Sequence, residues 1–113
     1  PEPLKPVAGA LWTRTVIEDK LTQAHALGWG DFDGDGSDEL VAGWRNKPFG
    51  VGVWKRDPRG TWQKQVIDDG GMATEDLVIA DLNGDKQPDI VASGRATRNV
   101  KIYWNETRVG KRP

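Results

Sequence analysis

The sequence predicts an all-β protein that contains two four-stranded β-propeller blades. Three observations lead to this fold class: the chain repeats itself every 50 residues, each repeat holds four short strand candidates, and no window has helical periodicity. A unit of about 50 residues with four strands and intervening turn residues is typical of a propeller blade. The length of 113 residues suits one small globular domain.

The internal repeat aligns without a gap when each residue is compared with the residue 50 positions later. We predict an N-terminal segment at 1–10, a first repeat at 11–60, a second repeat at 61–107 and a C-terminal tail at 108–113. A duplication of this length indicates that both repeats form the same supersecondary unit. The identical pairs are Trp12/Trp62, Val16/Val66, Ile17/Ile67, Asp19/Asp69, Leu27/Leu77, Asp31/Asp81, Gly34/Gly84, Asp35/Asp85, Val41/Val91, Ala42/Ala92, Arg45/Arg95 and Trp54/Trp104.

The four strand candidates of a repeat differ in their patterns of apolar residues. The first alternates polar and apolar residues, the second is small or apolar, the third is continuously apolar, and the fourth closes the unit. The continuous apolar run predicts a strand that is buried on both faces. The candidates are 12–17, 24–32, 39–45 and 50–55 in the first repeat, and 62–67, 76–82, 89–93 and 100–104 in the second.

An acidic loop follows the second strand candidate of each repeat. Oxygen-bearing side chains occupy loop positions 1, 3, 5 and 9, and a backbone carbonyl at position 7 can join them, which suits a hard cation such as Ca²⁺. A polar hairpin turn is the alternative, but a turn does not need the four mutually repelling carboxylates that the first loop has at positions 1, 3, 5 and 9. We therefore predict two structural calcium sites per chain. The predicted ligands are Asp31, Asp33, Asp35, Ser37 and Glu39 in the first loop, and Asp81, Asn83, Asp85, Gln87 and Asp89 in the second.

The residues that flank the loops distinguish these predicted sites from calcium motifs in which the loop lies between helices. An EF-hand needs a bidentate glutamate at loop position 12, where this chain has Ala42 and Ala92. Both flanks read as buried strands instead of helices. Gly36 supplies the left-handed conformation that the first turn needs, whereas Lys86 replaces it in the second.

The loops and their strands resemble the FG-GAP (VCBS) repeat family, the calcium-loop blades of integrin α-subunit propellers and many secreted bacterial proteins. The matching motifs are GDFDGDG at 30–36 and ADLNGD at 80–85, and the resemblance covers roughly 11–106. It implies that each loop joins the innermost strand of a blade to the second strand. Lys86 and Pro88 depart from the family pattern, so the second loop is the weaker match.

Composition excludes several other classes of protein. A net charge of −1 predicts neither nucleic-acid nor membrane-surface binding, and no apolar run approaches the length of a membrane helix. The absence of cysteine excludes a disulfide framework and a thiol nucleophile. Calcium sites of moderate affinity fill where calcium is plentiful, which favours an extracellular or periplasmic location.

Two blades cannot close a propeller, because at least about four are needed. The broad faces of the blades are apolar, so they must also be covered by neighbouring blades. The leading strand of one chain can complete the last blade of a neighbour, which would give six blades from a homotrimer or eight from a homotetramer. The alternative is that the remaining blades belong to a longer propeller.

The function predicted is a structural or binding scaffold for a protein or glycan partner, not an enzyme. The alternatives are a carbohydrate-binding (lectin-like) propeller and a sugar lyase, since dehydratase-type propeller enzymes carry similar blades. No acid–base pair or catalytic triad can be assembled from the single histidine, so no catalytic residue is predicted. The candidates for ligand contacts are Trp29, Trp44, His25, Arg45 and Arg95.

Overall fold

A computed structural model describes residues 11–107, whose regular structure consists of β-strands. Within these residues, no helix is long and apolar enough to cross a membrane. The strands form one sheet of order β1-β2-β3-β4 and a second sheet of order β5-β6-β7, with every neighbouring pair antiparallel. The strands are β1 (Ala24–Gly30), β2 (Glu39–Trp44), β3 (Gly50–Arg56), β4 (Trp62–Asp69), β5 (Thr74–Ala80), β6 (Asp89–Gly94) and β7 (Asn99–Tyr103).

The two sheets repeat the same register, as the duplicated sequence predicts. Leu27 pairs with Ala42 in the first sheet, and Leu77 pairs with Ala92 in the second. Both inner strands also carry an irregularity at the same place, near their first residues. The inner strands stop at Gly30 and Ala80, two residues earlier than predicted, because the acidic loops begin there. The all-β fold class and the two sheets are therefore confirmed.

The order of strands shows which of the two sheets has the four predicted strands. β4 pairs with β3, so the strand predicted at 62–67 is the outer strand of the first sheet. In the second sheet, β7 pairs only with β6 among the described residues, and no fourth strand follows it there. The second sheet thus ends on an open edge.

The strand predicted at 12–17 does not form. Leu11 and Trp12 are 91% and 82% exposed, because this segment has no neighbouring strand whose edge it could join. Farther along, Ile17 and Leu21 pack on a cluster of buried side chains on the first sheet. Glu18 accepts a hydrogen bond of 3.3 Å from Trp54 Nε1 in the same region. Residues 17–21 therefore cover part of the outward face of the first sheet.

The two sheets pack closely against each other around buried Val41, Val51 and Met72. Gly43 makes the close approach possible: a Cβ at this position would lie 2.3 Å from Thr74 Cγ2 on the second sheet. The side chain of Thr74 is fully buried and donates to the Gly50 carbonyl at 3.1 Å, so it joins the two sheets.

The opposite face of the second sheet carries exposed β-branched side chains. Val78, Val100 and Ile102 are 58%, 70% and 43% exposed. These three side chains form an exposed apolar surface on the second sheet.

Candidate metal centres

The first acidic loop is wound around the carboxylate of Asp31. Asp31 Oδ1 accepts hydrogen bonds from the backbone N–H groups of Gly34 at 2.9 Å and Asp35 at 3.1 Å, and Oδ2 accepts from Gly36 at 2.9 Å. Gly36 has a φ of 90°, which is the left-handed conformation predicted for it. These contacts fix the turn and direct the following side chains inward.

The second loop repeats the same hydrogen bonds around Asp81. Its Oδ1 accepts from Gly84 at 2.9 Å and from Asp85 at 3.2 Å, and its Oδ2 accepts from Lys86 at 2.8 Å. Burial raises the pKa of Asp81, but the backbone donors outweigh it and leave the pKa below its usual value. Lys86 keeps a φ of 69°, so a residue with a side chain adopts the conformation that glycine favours.

The strand that follows each loop begins with a buried carboxylate that contacts the loop. Glu39 and Asp89 are the first residues of β2 and β6, and they are 3% and 0% exposed. Glu39 Oε1 accepts from the Phe32 N–H at 2.8 Å, and Asp89 Oδ2 accepts from the Leu82 N–H at 3.0 Å. Burial raises the pKa of Glu39. The first residue of each strand is thereby hydrogen-bonded to the backbone at the start of the preceding loop.

Carboxylate oxygens converge at each loop, as the spacing predicts. One oxygen from each member of the first cluster, and likewise of the second, lies within 4.8 Å of the others. Oxygen ligands spaced this way suit Ca²⁺, which accepts six to eight of them in a flexible geometry. The first cluster is Asp31, Asp33, Asp35 and Glu39, and the second is Asp81, Asp85 and Asp89.

The remaining predicted ligands lie next to these clusters. The Asn83 amide oxygen lies 3.2 Å from Asp81 Oδ1 and 2.9 Å from Asp85 Oδ1. Oxygens this close repel one another unless a cation lies between them or the amide turns over to donate. Ser37 and Gln87 each donate a backbone N–H to the preceding aspartate at 2.9 Å, and the role of their carbonyls stays a prediction. With the amide turned over, Asn83 donates to both aspartates, so this contact by itself does not require a cation.

A lysine that the motif does not include enters the first loop. Lys55, on β3, pairs with Asp33 and lies 2.8 Å from Asp35 Oδ2. The Lys55 ammonium and the Ser37 N–H lower the pKa of Asp35 to about 2, and both aspartates raise the pKa of Lys55. The sequence gives one sign that Lys55 is specific to the first loop: the two repeats differ at this position, where the second repeat has Asn105.

Two of the residues predicted to contact a ligand meet at the junction of the sheets. Arg45 Nη1 donates to Glu75 Oε2 at 3.0 Å, and His25 Nε2 lies 3.7 Å from the same oxygen. Arg95 lines the same open cleft of about 480 Å³, together with Arg98. The ion pair of Arg45 and Glu75 joins the first sheet to the second. Within the described part of the chain, neither Arg95 nor Arg98 has an ion pair.

The two tryptophans predicted to stack on a ligand have different environments. Trp29 is 50% exposed on β1. Trp44 is only 6% exposed and packs edge-on against Trp54, with ring centroids 6.4 Å apart. Trp44 therefore belongs to the packed face of the first sheet, and its contact with a ligand stays a prediction.

Comparison with known proteins gives one match. A family model described as FG-GAP-like repeat matches residues 31–92, which is more than half of the chain and runs from the first acidic loop into β6. Neither the curated proteins nor the solved structures contain a significant match.

Proposed function

The chain belongs to the FG-GAP-like repeat family, and from this premise we propose that it is a calcium-stabilised pair of β-propeller blades that acts as a structural or binding scaffold. The open edge of β7 in the second sheet supports the proposal that these blades function beside further blades. The metal has a structural role in this proposal, because the clusters lie at the turn between two strands. We propose an extracellular or periplasmic location, where calcium is abundant.

The observation that carries the proposal is the convergence of oxygens at two equivalent loops. Each cluster unites side chains from the loop with the first residue of the next strand. A bound calcium ion would cancel the repulsion among these carboxylates. Asp31 and Asp81 hold the loop backbone, while Glu39 and Asp89 connect the loop to the sheet. Metal binding should therefore stabilise the fold.

Thermal unfolding with and without a chelator tests the proposal. A site at 100 times its Kd adds about 2.7 kcal/mol, so we expect calcium to raise the Tm by about 10 °C over the value in EDTA. Asp33→Ala should reduce this increment because it removes a ligand. Asp38→Ala is the matched control, since it removes an exposed carboxylate of the same loop that is outside the cluster. Identical melting curves with calcium and with EDTA would contradict the proposal.

The scaffold needs further blades, and we propose that the edge of β7 receives an outer strand. Segment 12–17 has the repeat position of β4, and β4 pairs with β3 in the first sheet. A neighbouring copy can supply this segment, which gives a closed homotrimer or homotetramer. Blades elsewhere in a longer propeller are the alternative occupants.

The cleft lined by Glu75 and Arg45, with His25 close to Glu75, supports one alternative function. An imidazole close to a carboxylate, with arginines nearby, suits a polar sugar ligand or proton transfer in a sugar lyase. Binding on a glycan array that is lost in Arg95→Ala would favour a lectin. Turnover of a keto-sugar that is lost in His25→Ala would favour a lyase.

A further inference from the structure

Lys55 enters the first acidic loop from a strand, not from the loop itself. Its ammonium pairs with both Asp33 and Asp35, and the three side chains are 43%, 30% and 41% exposed. These are two of the carboxylates that the proposed metal site requires. An ammonium of the protein therefore already pairs with two of the four carboxylates that converge at this loop.

The second loop has no such cation within the described residues. Asn105 stands at the equivalent position, donates its backbone N–H to Asp89 Oδ1 at 2.8 Å, and turns its amide to the Phe32 carbonyl at 2.7 Å. Lys86 belongs to the loop but makes no ion pair among the described residues. The carboxylates of this loop are thus not neutralised by a lysine.

Resting on the function proposed above, we propose that Lys55 is a built-in counter-ion that weakens calcium binding by the first loop. Four carboxylates and one ammonium give the first cluster a charge of −3, which equals that of the three carboxylates in the second. The difference is that the Lys55 ammonium must leave Asp33 and Asp35 before these side chains can coordinate a metal ion. The first loop matches the motif better, yet the second loop binds calcium more tightly.

Lys55 has a second consequence for the first loop in the absence of metal. Its ammonium reduces the repulsion among the carboxylates, so the first loop keeps its shape without calcium. The second loop depends on the metal for the same effect. Removal of calcium should therefore destabilise the second sheet more than the first.

Calcium titration calorimetry on single-loop variants tests this inference. Asp85→Ala leaves the first loop as the only complete cluster, and Asp35→Ala leaves the second. In the Asp85→Ala background, Lys55→Gln should tighten calcium binding about tenfold, because two partly exposed ion pairs no longer compete. In the Asp35→Ala background, the same change should alter the affinity by less than about twofold, since the loops are separate sites.

Two further variants keep the test decisive. Lys55→Met retains most of the apolar stem and replaces Lys55→Gln if that variant does not fold. Lys20→Gln is the control for net charge, since the Lys20 side chain is 85% exposed and its ion pair among residues 11–107 is with Asp19. It should leave both affinities unchanged.

The outcomes separate this inference from the proposed function. Calcium binding by both single-loop variants without an effect of Lys55→Gln would overturn the role of Lys55 alone. Tighter binding by Asp85→Ala than by Asp35→Ala would also overturn it. If the intact protein does not bind calcium at all, the proposed function itself is wrong.

Discussion

Lys86 adopts a left-handed backbone conformation at the position where the first loop has Gly36. A residue with a Cβ loses about 1 kcal/mol in this conformation. We predict that Lys86→Gly raises the free energy of unfolding by about 1 kcal/mol, measured by urea denaturation in EDTA so that metal affinity does not contribute. Gly36→Lys, the matched reverse change, should lower it by a similar amount. An unchanged or lower stability of Lys86→Gly would contradict this explanation.

Asp68 is a partly buried carboxylate whose partners favour its charged form. It is 9% exposed, and burial raises its pKa, but the Tyr103 hydroxyl, the Lys101 ammonium and the Gly71 N–H outweigh burial and lower the pKa. A carboxyl whose pKa is lower in the folded state stabilises the protein above its unfolded pKa of about 4, and this stability is lost as the pH falls.

Replacement of Asp68 tests this contribution. Asp68→Asn should lower the free energy of unfolding at pH 7 by about 2 kcal/mol, because hydrogen bonds to a charged group are lost. Between pH 5 and pH 3 the variant should lose less stability than the parent chain. Asp69→Asn, at the exposed neighbouring residue, serves as the control and should keep the parent profile. Equal pH dependence in Asp68→Asn and the parent would exclude this role.

At the scale of the elements, the contact of Gly43 with Thr74 sets the distance between the sheets. The equivalent residue on the second sheet is Ser93, which faces away from the first. Gly43→Ser should lower the free energy of unfolding by about 2 kcal/mol, because its Cβ would overlap the Thr74 side chain. Ser93→Gly, the reciprocal change, should cost less than about 1 kcal/mol. Urea denaturation of both variants would reveal the difference, and equal effects would refute it.

The elements that sequence alone predicts are those determined by neighbouring residues. The strand candidates from 24 to 104 and both acidic loops depend on local patterns of apolar residues, turn residues and carboxylates, and each of them has a counterpart in the structure. Segment 12–17 has the same local pattern as β4 but no strand, because strand formation also requires a partner edge. Local pattern cannot reveal that requirement.

The features of the site that sequence could not predict are contacts between distant parts of the chain. Lys55 reaches the first loop because β3 lies beside β2, and Trp44 is buried because Trp54 lies on the same face. His25 and Glu75 come together only when the inner strands of both sheets are adjacent. Such contacts follow from the register of strands, which residue patterns constrain but do not determine.

For the whole molecule, the pairing of β4 with β3 predicts how segment 12–17 of a second copy would add to the open edge of β7. In the first sheet, Gly52 is opposite Val66, and the repeat places Ile102 opposite Val16 in the same way. The chain has no cysteine, so in a double variant with Val16→Cys and Ile102→Cys the introduced thiols are the only ones that can pair. We expect disulfide-linked trimers or tetramers under oxidation.

The controls for this assembly are the two single-cysteine variants and the mass of the parent chain. Each single variant should give no linked product larger than a dimer. The parent should have three or four times the mass of one chain in solution. A compact monomer without linked products would contradict self-assembly and favour blades from a longer propeller.

The most direct measurement of the central claim is the number of calcium ions bound per chain, determined by equilibrium dialysis at millimolar calcium. We predict two ions for the parent chain and one for either Asp35→Ala or Asp85→Ala, since each variant loses one cluster. A parent chain that retains no calcium under these conditions would contradict the account.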